Sequence, residues 1–239
     1  MTRAALIVAH GQPSDPAPPE REMAALAQAT AALMPGWQVR AATLAAPGAL
    51  GRAAAGLDRP VVFPFFMADG WFIRTALPQR LAAAGIVASA IAPPFGLLPE
   101  TQRLAIAILR GALAAAGWAA EATDLVLAAH GSGRSPYPAR AAQAMAAAIA
   151  RALPFAAVRT GFIEEAPPLA EAARAAGPRA LCLPLFVARW GHVLSDLPEA
   201  LAEAGFAGRL LDPIGVNEAV PGLIAAAVRA TAAGRQAPA

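Results

Sequence analysis

The chain repeats itself at an interval of 120 residues, and this duplication limits its architecture more than any other feature. Residues 6–11 read LIVAHG and residues 126–131 read VLAAHG. Residues 64–78 (PFFMADGWFIRTALP) return as residues 184–198 (PLFVARWGHVLSDLP), and LAAAGI at 81–86 returns as LAEAGF at 201–206. Pro47 and Pro167 match at the same offset, as do Pro93 and Pro213. Two repeats of domain size exclude a solenoid, whose units run to about 20–50 residues. The predicted domains are 1–119 and 120–239.

Each half alternates short apolar runs with longer alanine-rich stretches. In the second half strands are predicted at Asp124–Ala129, Ala157–Ile163, Ala180–Phe186 and Arg209–Leu211. Helices are predicted over Pro138–Leu153, Pro167–Ala176, Val193–Ala204 and Asn217–Ala233. The first half repeats the pattern, with strands near Ala4–Ala9, Gln38–Leu44, Val61–Phe66 and Val87–Ile91. Strand–helix alternation at this spacing implies βαβ units and a parallel sheet. Near-continuous apolar strands fit sheets covered by helices on both faces. The expected fold is α/β, with two doubly wound parallel-sheet lobes related by a pseudo-twofold and a cleft between them. Gly234–Ala239 is expected to fray.

A hydrophobic content of 57% and a mean hydropathy of +0.49 suggest a membrane protein at first sight. Alanine is the cause. The longest uncharged run, Leu81–Pro99, contains Gly85, Pro93, Pro94 and Gly96, so it reads as helix end, strand and turn rather than as a membrane span. The start of the chain has no signal-peptide pattern. Cys182 is the single cysteine, which excludes an internal disulfide and a cysteine-built metal site. These features fit a cytoplasmic protein, monomer or homodimer, with no membrane partner. The pI of 10.3 reflects arginine in a chain without lysine; the net charge is only +3. The arginines are scattered, so no nucleic-acid partner is expected.

The chain has three histidines, His10, His130 and His192. Each falls after a predicted strand, where open α/β sheets bind their ligands. Glu164 ends the second strand of the second half, on the same rim. Two imidazoles and a carboxylate can hold a divalent ion such as Co²⁺, Fe²⁺, Ni²⁺ or Zn²⁺ and leave positions open. Imidazole also exchanges protons near neutral pH. No Walker sequence, helix-opening GxGxxG or GxSxG elbow is present. The glycines and serines of Gly131–Pro138 would suit an anion and support a phosphatase only faintly.

Three segments carry a family resemblance. They are AHGS at Ala129–Ser132 with Arg140 in the next helix, GFIE at Gly161–Glu164 with Pro167–Pro168, and PLFVARWGH at Pro184–His192 continuing to Asp196-Leu197-Pro198. Together they resemble the CbiX-type sirohydrochlorin chelatases, relatives of ferrochelatase, in their long two-lobed form. The resemblance implies insertion of Co²⁺ or Fe²⁺ into sirohydrochlorin, on the way to cobalamin or siroheme. It implies His130, Glu164 and His192 as metal ligands and catalytic groups, gathered in one pocket, with the metal as substrate and no permanently bound cofactor. His10, Ser132, Arg134, Arg140, Arg189 and Phe72 are candidate contacts for the tetrapyrrole and its carboxylates, and Trp71 and Trp190 could stack on a flat ring. In the first half Phe72 stands opposite His192 and Leu44 opposite Glu164, so that lobe reads as degenerate. A non-catalytic tetrapyrrole or metal carrier and a metal-dependent hydrolase are the alternative readings.

Overall fold

A computed structural model describes residues 3–234. The chain forms two compact units, Met1–Leu98 with Glu218–Ala239, and Pro99–Asn217. Unit 1 carries strands β1 (Arg3–Ala9), β2 (Trp37–Thr43), β3 (Val61–Pro64) and β4 (Ala90–Ile91) in the order β2-β1-β3-β4. Unit 2 carries β5 (Asp124–Ala129), β6 (Ala157–Phe162), β7 (Ala180–Pro184) and β8 (Arg209–Leu210) in the order β6-β5-β7-β8. All six strand pairings are parallel, as the strand–helix alternation predicts.

The helices of unit 1 are α1 (Ala17–Ala32), α2 (Ala49–Ala54) and α3 (Leu77–Ala83), joined by α9 (Val220–Gly234) from the far end of the chain. Unit 2 has α4 (Pro99–Ala116), α5 (Tyr137–Ala152), α6 (Leu169–Arg174), α7 (Gly191–Leu194) and α8 (Asp196–Glu203). The repeat boundary at 119/120 and the boundaries of the compact units therefore divide the chain differently. The last helix of the first repeat packs on α5 of unit 2, and the last helix of the second packs on α1 and β3 of unit 1. Of the tail expected to fray, Gly234 ends α9, and 235–239 lie outside the described residues.

The central strands are buried on both faces, which explains their unbroken apolar character. In unit 2, Val126, Ala128 and Cys182 face Leu169, Ala173, Leu197 and Leu201 of α6 and α8. Leu125 and Leu127 alternate with them and are also fully buried. Burial pushes the Cys182 thiol up to about 12, so it supplies no thiolate. Leu6, Val8 and Val62 play the corresponding part in unit 1, against α2 and α3. Among the described residues no helix is long and apolar enough to cross a membrane.

The repeat slips by one residue in two places that a fixed offset conceals. Ala9 pairs with Thr43, whereas Ala129 pairs with Phe162, so β2 and β6 correspond at 119. Val61 pairs with Ala90 and Leu181 with Arg209, so β4 and β8 also correspond at 119. The partner of Pro213 is thus Pro94 rather than Pro93; each precedes a short 3₁₀ turn.

The helix predicted over Val193–Ala204 is interrupted. Pro198 has no N–H to give to the carbonyl of Leu194, and its ring crowds that carbonyl. The chain breaks at Ser195 (φ −116°, ψ −68°) into α7 and α8. Pro78 imposes the same constraint in unit 1, where the backbone widens into a π turn over Phe72–Ala76 and Leu77 N–H donates to Phe72 O.

Candidate active site

Unit 2 brings the segments after β5 and β7 together at one rim of the sheet. β5 lies between β6 and β7, and the chain leaves it toward β6 before crossing back to β7. Ligands bind at such switch points, beyond the carboxyl ends of the strands. His130 is the first residue past β5. Gly131 (φ +75°) turns the chain away, in a conformation that a residue with a Cβ adopts at a cost. His192 lies in α7, beyond β7 and the loop through Trp190. Leu185 N–H donates to Ala128 O at 2.7 Å, which ties the start of that loop to β5.

The two imidazoles meet edge to face, with ring centroids 4.5 Å apart and planes at 88°. Their Nε2 atoms are 3.1 Å apart. His130 Nδ1 lies 2.9 Å from Gly131 O, an acceptor only, so this nitrogen is the donor. His192 Nδ1 is hydrogen-bonded to Asp196 Oδ2. Each ring is thus anchored through Nδ1 and turns Nε2 toward the other. Nitrogens about 2.1 Å from one tetrahedral ion lie about 3.4 Å apart, close to the observed spacing. His192 and Asp196 are 45% and 41% exposed, so solutes reach them.

Glu164 is exposed, and its backbone N–H donates to His130 O at 2.8 Å. Among the described residues no three His, Cys, Asp or Glu side chains form a group able to hold a metal ion. The structure joins His130 to His192 and leaves the Glu164 carboxylate apart from them.

Comparisons with known proteins identify the family. The CbiX family model matches residues 124–231. The solved structure of CbiX, described as the terminal enzyme for biosynthesis of siroheme in denitrifying bacteria, is 50% identical. That match covers 95% of this chain and 99% of the other, with a TM-score of 0.88. The chain belongs to the CbiX family. SirB from Bacillus subtilis, solved with Fe³⁺, shares the fold at 16% identity and a TM-score of 0.77, over 99% of this chain and 98% of its own. A multi-domain Deinococcus radiodurans protein structurally similar to chelatases shares it at 23% identity and a TM-score of 0.71, over 100% of this chain and 56% of its own. Comparison with curated proteins gave no match.

In this CbiX-family chain unit 1 keeps only part of the arrangement. His10 Nδ1 lies 2.8 Å from Gly11 O, as in His130, but the neighbouring ring is Phe72, edge to face at 4.3 Å. Phe72 also packs against Phe66 and Trp71. The strand register corrects one expectation: Ala45, not Leu44, stands where unit 2 has Glu164. Ala45 N–H donates to His10 O at 2.9 Å, the counterpart of the Glu164 bond. The fixed offset misassigns it because β2 carries one residue more at its start than β6, so that Gln38, not Trp37, corresponds to Ala157.

The other candidates of unit 2 lie in the loop after β5 (Ser132, Arg134), the first turn of α5 (Arg140) and the loop after β7 (Arg189). Ser132 Oγ accepts the Arg134 N–H at 3.2 Å and so shapes the loop after His130. Arg134 and Arg140 are exposed and form no ion pair among the described residues. Arg189 is engaged with Asp212 at 2.6 Å. Two carboxylates escaped the sequence reading. Asp196 was signalled by its i, i+4 spacing from His192. Glu165 has a buried, unpartnered Oε1 and packs beneath Gly131. A Cβ on Gly131 would fall 2.8 Å from Glu165 Cγ and 3.0 Å from Phe162 Cβ. Gly131→Ala is therefore expected to cost about 1–2 kcal/mol for the left-handed backbone alone, read as a lower urea midpoint.

Proposed function

We propose that the chain is a sirohydrochlorin chelatase, inserting Co²⁺ or Fe²⁺ into the macrocycle for siroheme or cobalamin. The observation that carries this reading is the pair of Nε2 atoms facing each other at 3.1 Å, each ring anchored through Nδ1. Two neutral imidazoles bind a borderline divalent ion and leave its remaining positions to water and to the incoming macrocycle. Such a site delivers an ion without trapping it.

Insertion replaces two pyrrole N–H protons by one M²⁺, so two protons leave for each ion that enters. As the ion passes to the pyrrole nitrogens, His130 and His192 regain lone pairs and can accept those protons. Glu164, exposed on the same rim, can pass them to water. Arg134 and Arg140 offer forked donors to the substrate carboxylates. A cytoplasmic setting, with its reducing conditions, suits a ferrous substrate.

The test is anaerobic incubation with sirohydrochlorin and each of Co²⁺, Fe²⁺ and Ni²⁺, following the absorbance of the metallated product. The expected result is catalysed insertion of Co²⁺ or Fe²⁺, with saturation in both substrates. Binding of the macrocycle without a rise in metallation rate would identify a carrier instead.

A further inference from the structure

We propose that Asp196 is a positioning residue that makes His192 a metal ligand; the inference rests on the metal-insertion reading above. A histidine side chain can offer either ring nitrogen, and its other nitrogen's partner decides which. His130 needs no carboxylate, because its Nδ1 donates to the carbonyl of the adjoining residue. His192 has no such backbone anchor. It sits in the four-residue helix α7, followed by the break at Ser195. Its Nδ1 partner is Asp196 Oδ2, from the first turn of α8. This bond spans the break and sets the ring edge-on to His130 with Nε2 outward. A carboxylate behind a ligating imidazole fixes its tautomer and orientation and strengthens it as a donor.

Unit 1 supplies an internal comparison. At the repeat interval, Phe72 replaces His192 and Ala76 replaces Asp196. The imidazole and the carboxylate behind it are lost together. There the backbone runs through the same region as a π turn that leads directly into α3. If Asp196 served only the α8 terminus, where an acidic residue is favourable in any helix, nothing would link it to the presence of His192.

The test uses the full metal-free chain, by long-range ¹H–¹⁵N spectroscopy of the imidazoles and by Co²⁺ titration. In the wild type His192 should be protonated at Nδ1. Asp196→Ala should move that proton toward Nε2 and weaken Co²⁺ binding about 10–100-fold. In the insertion assay the KM for metal should rise and that for sirohydrochlorin should not. Asp196→Asn keeps an acceptor oxygen at the same reach and should restore part of the loss; it also serves should Asp196→Ala not fold. A wild-type tautomer and wild-type Co²⁺ affinity in Asp196→Ala would overturn the role of Asp196, as would a fully wild-type Co²⁺ affinity in Asp196→Asn should Asp196→Ala not fold. Co²⁺ binding by the wild type that His192→Ala leaves unchanged would instead overturn the reading of the pair as a metal site.

Discussion

Removing either imidazole of unit 2 is expected to lower metal insertion about 10²–10⁴-fold, the usual cost of losing one well-placed acid–base group. His130→Ala and His192→Ala should behave alike, because each leaves a single nitrogen where two face each other at 3.1 Å. Neither ring is part of the buried core, so both variants should keep the wild-type circular dichroism. His10→Ala should cost much less. Its ring packs on Phe72, which can neither bind a metal nor carry a proton, and Ala45 stands where a carboxylate would be needed. A loss at His10 as large as that at His192, with every variant folded, would contradict the assignment of the chemistry to unit 2.

The largest expected effects on stability come from two glycines that pack on backbone, one of them, Gly215, under the loop that leads to His192. A Cβ on Gly215 would lie 2.2 Å from Val187 O and 2.3 Å from Val187 Cα. These are backbone atoms, so no side chain can rotate away. A Cβ on Gly96 would likewise lie 2.0 Å from Met67 O. Forcing such a contact open costs about 3 kcal/mol, at the upper end of overpacking effects. For a chain of this size that is a fall in Tm of about 6–12 °C. Gly215→Ala should also reduce activity in what remains folded, since Val187 lies in the loop that leads to His192. Gly111 is the contrast. It sits on the exposed side of α4 with nothing within 4 Å, so Gly111→Ala should stabilise by up to about 1 kcal/mol.

Much of this arrangement is legible in the residues. The β5 strand was predicted at Asp124–Ala129, its observed bounds, because an apolar run bounded by a polar residue and by His130-Gly131 has few other readings. The histidines were placed at strand ends because two of them follow matching strands of a duplicated pattern. The failures share a cause. Periodicity reports which face a residue occupies but not where one strand carries an extra residue, so a fixed offset matches Leu44 to Glu164 in place of Ala45. The break between α7 and α8 depends on what Pro198 does to a carbonyl four residues back. The same local geometry brings Asp196 onto His192; their i, i+4 spacing hints at the contact, but across a helix break it does not establish it.

The most direct measurement is X-ray absorption on the cobalt-loaded protein, counting imidazole nitrogens around the ion. Two per cobalt, at about 2.1 Å, are predicted for the wild type and for His10→Ala, falling to one in His130→Ala or His192→Ala. A wild-type ion with one imidazole or none, or a count unchanged by removing His192, would contradict the histidine pair as the metal site.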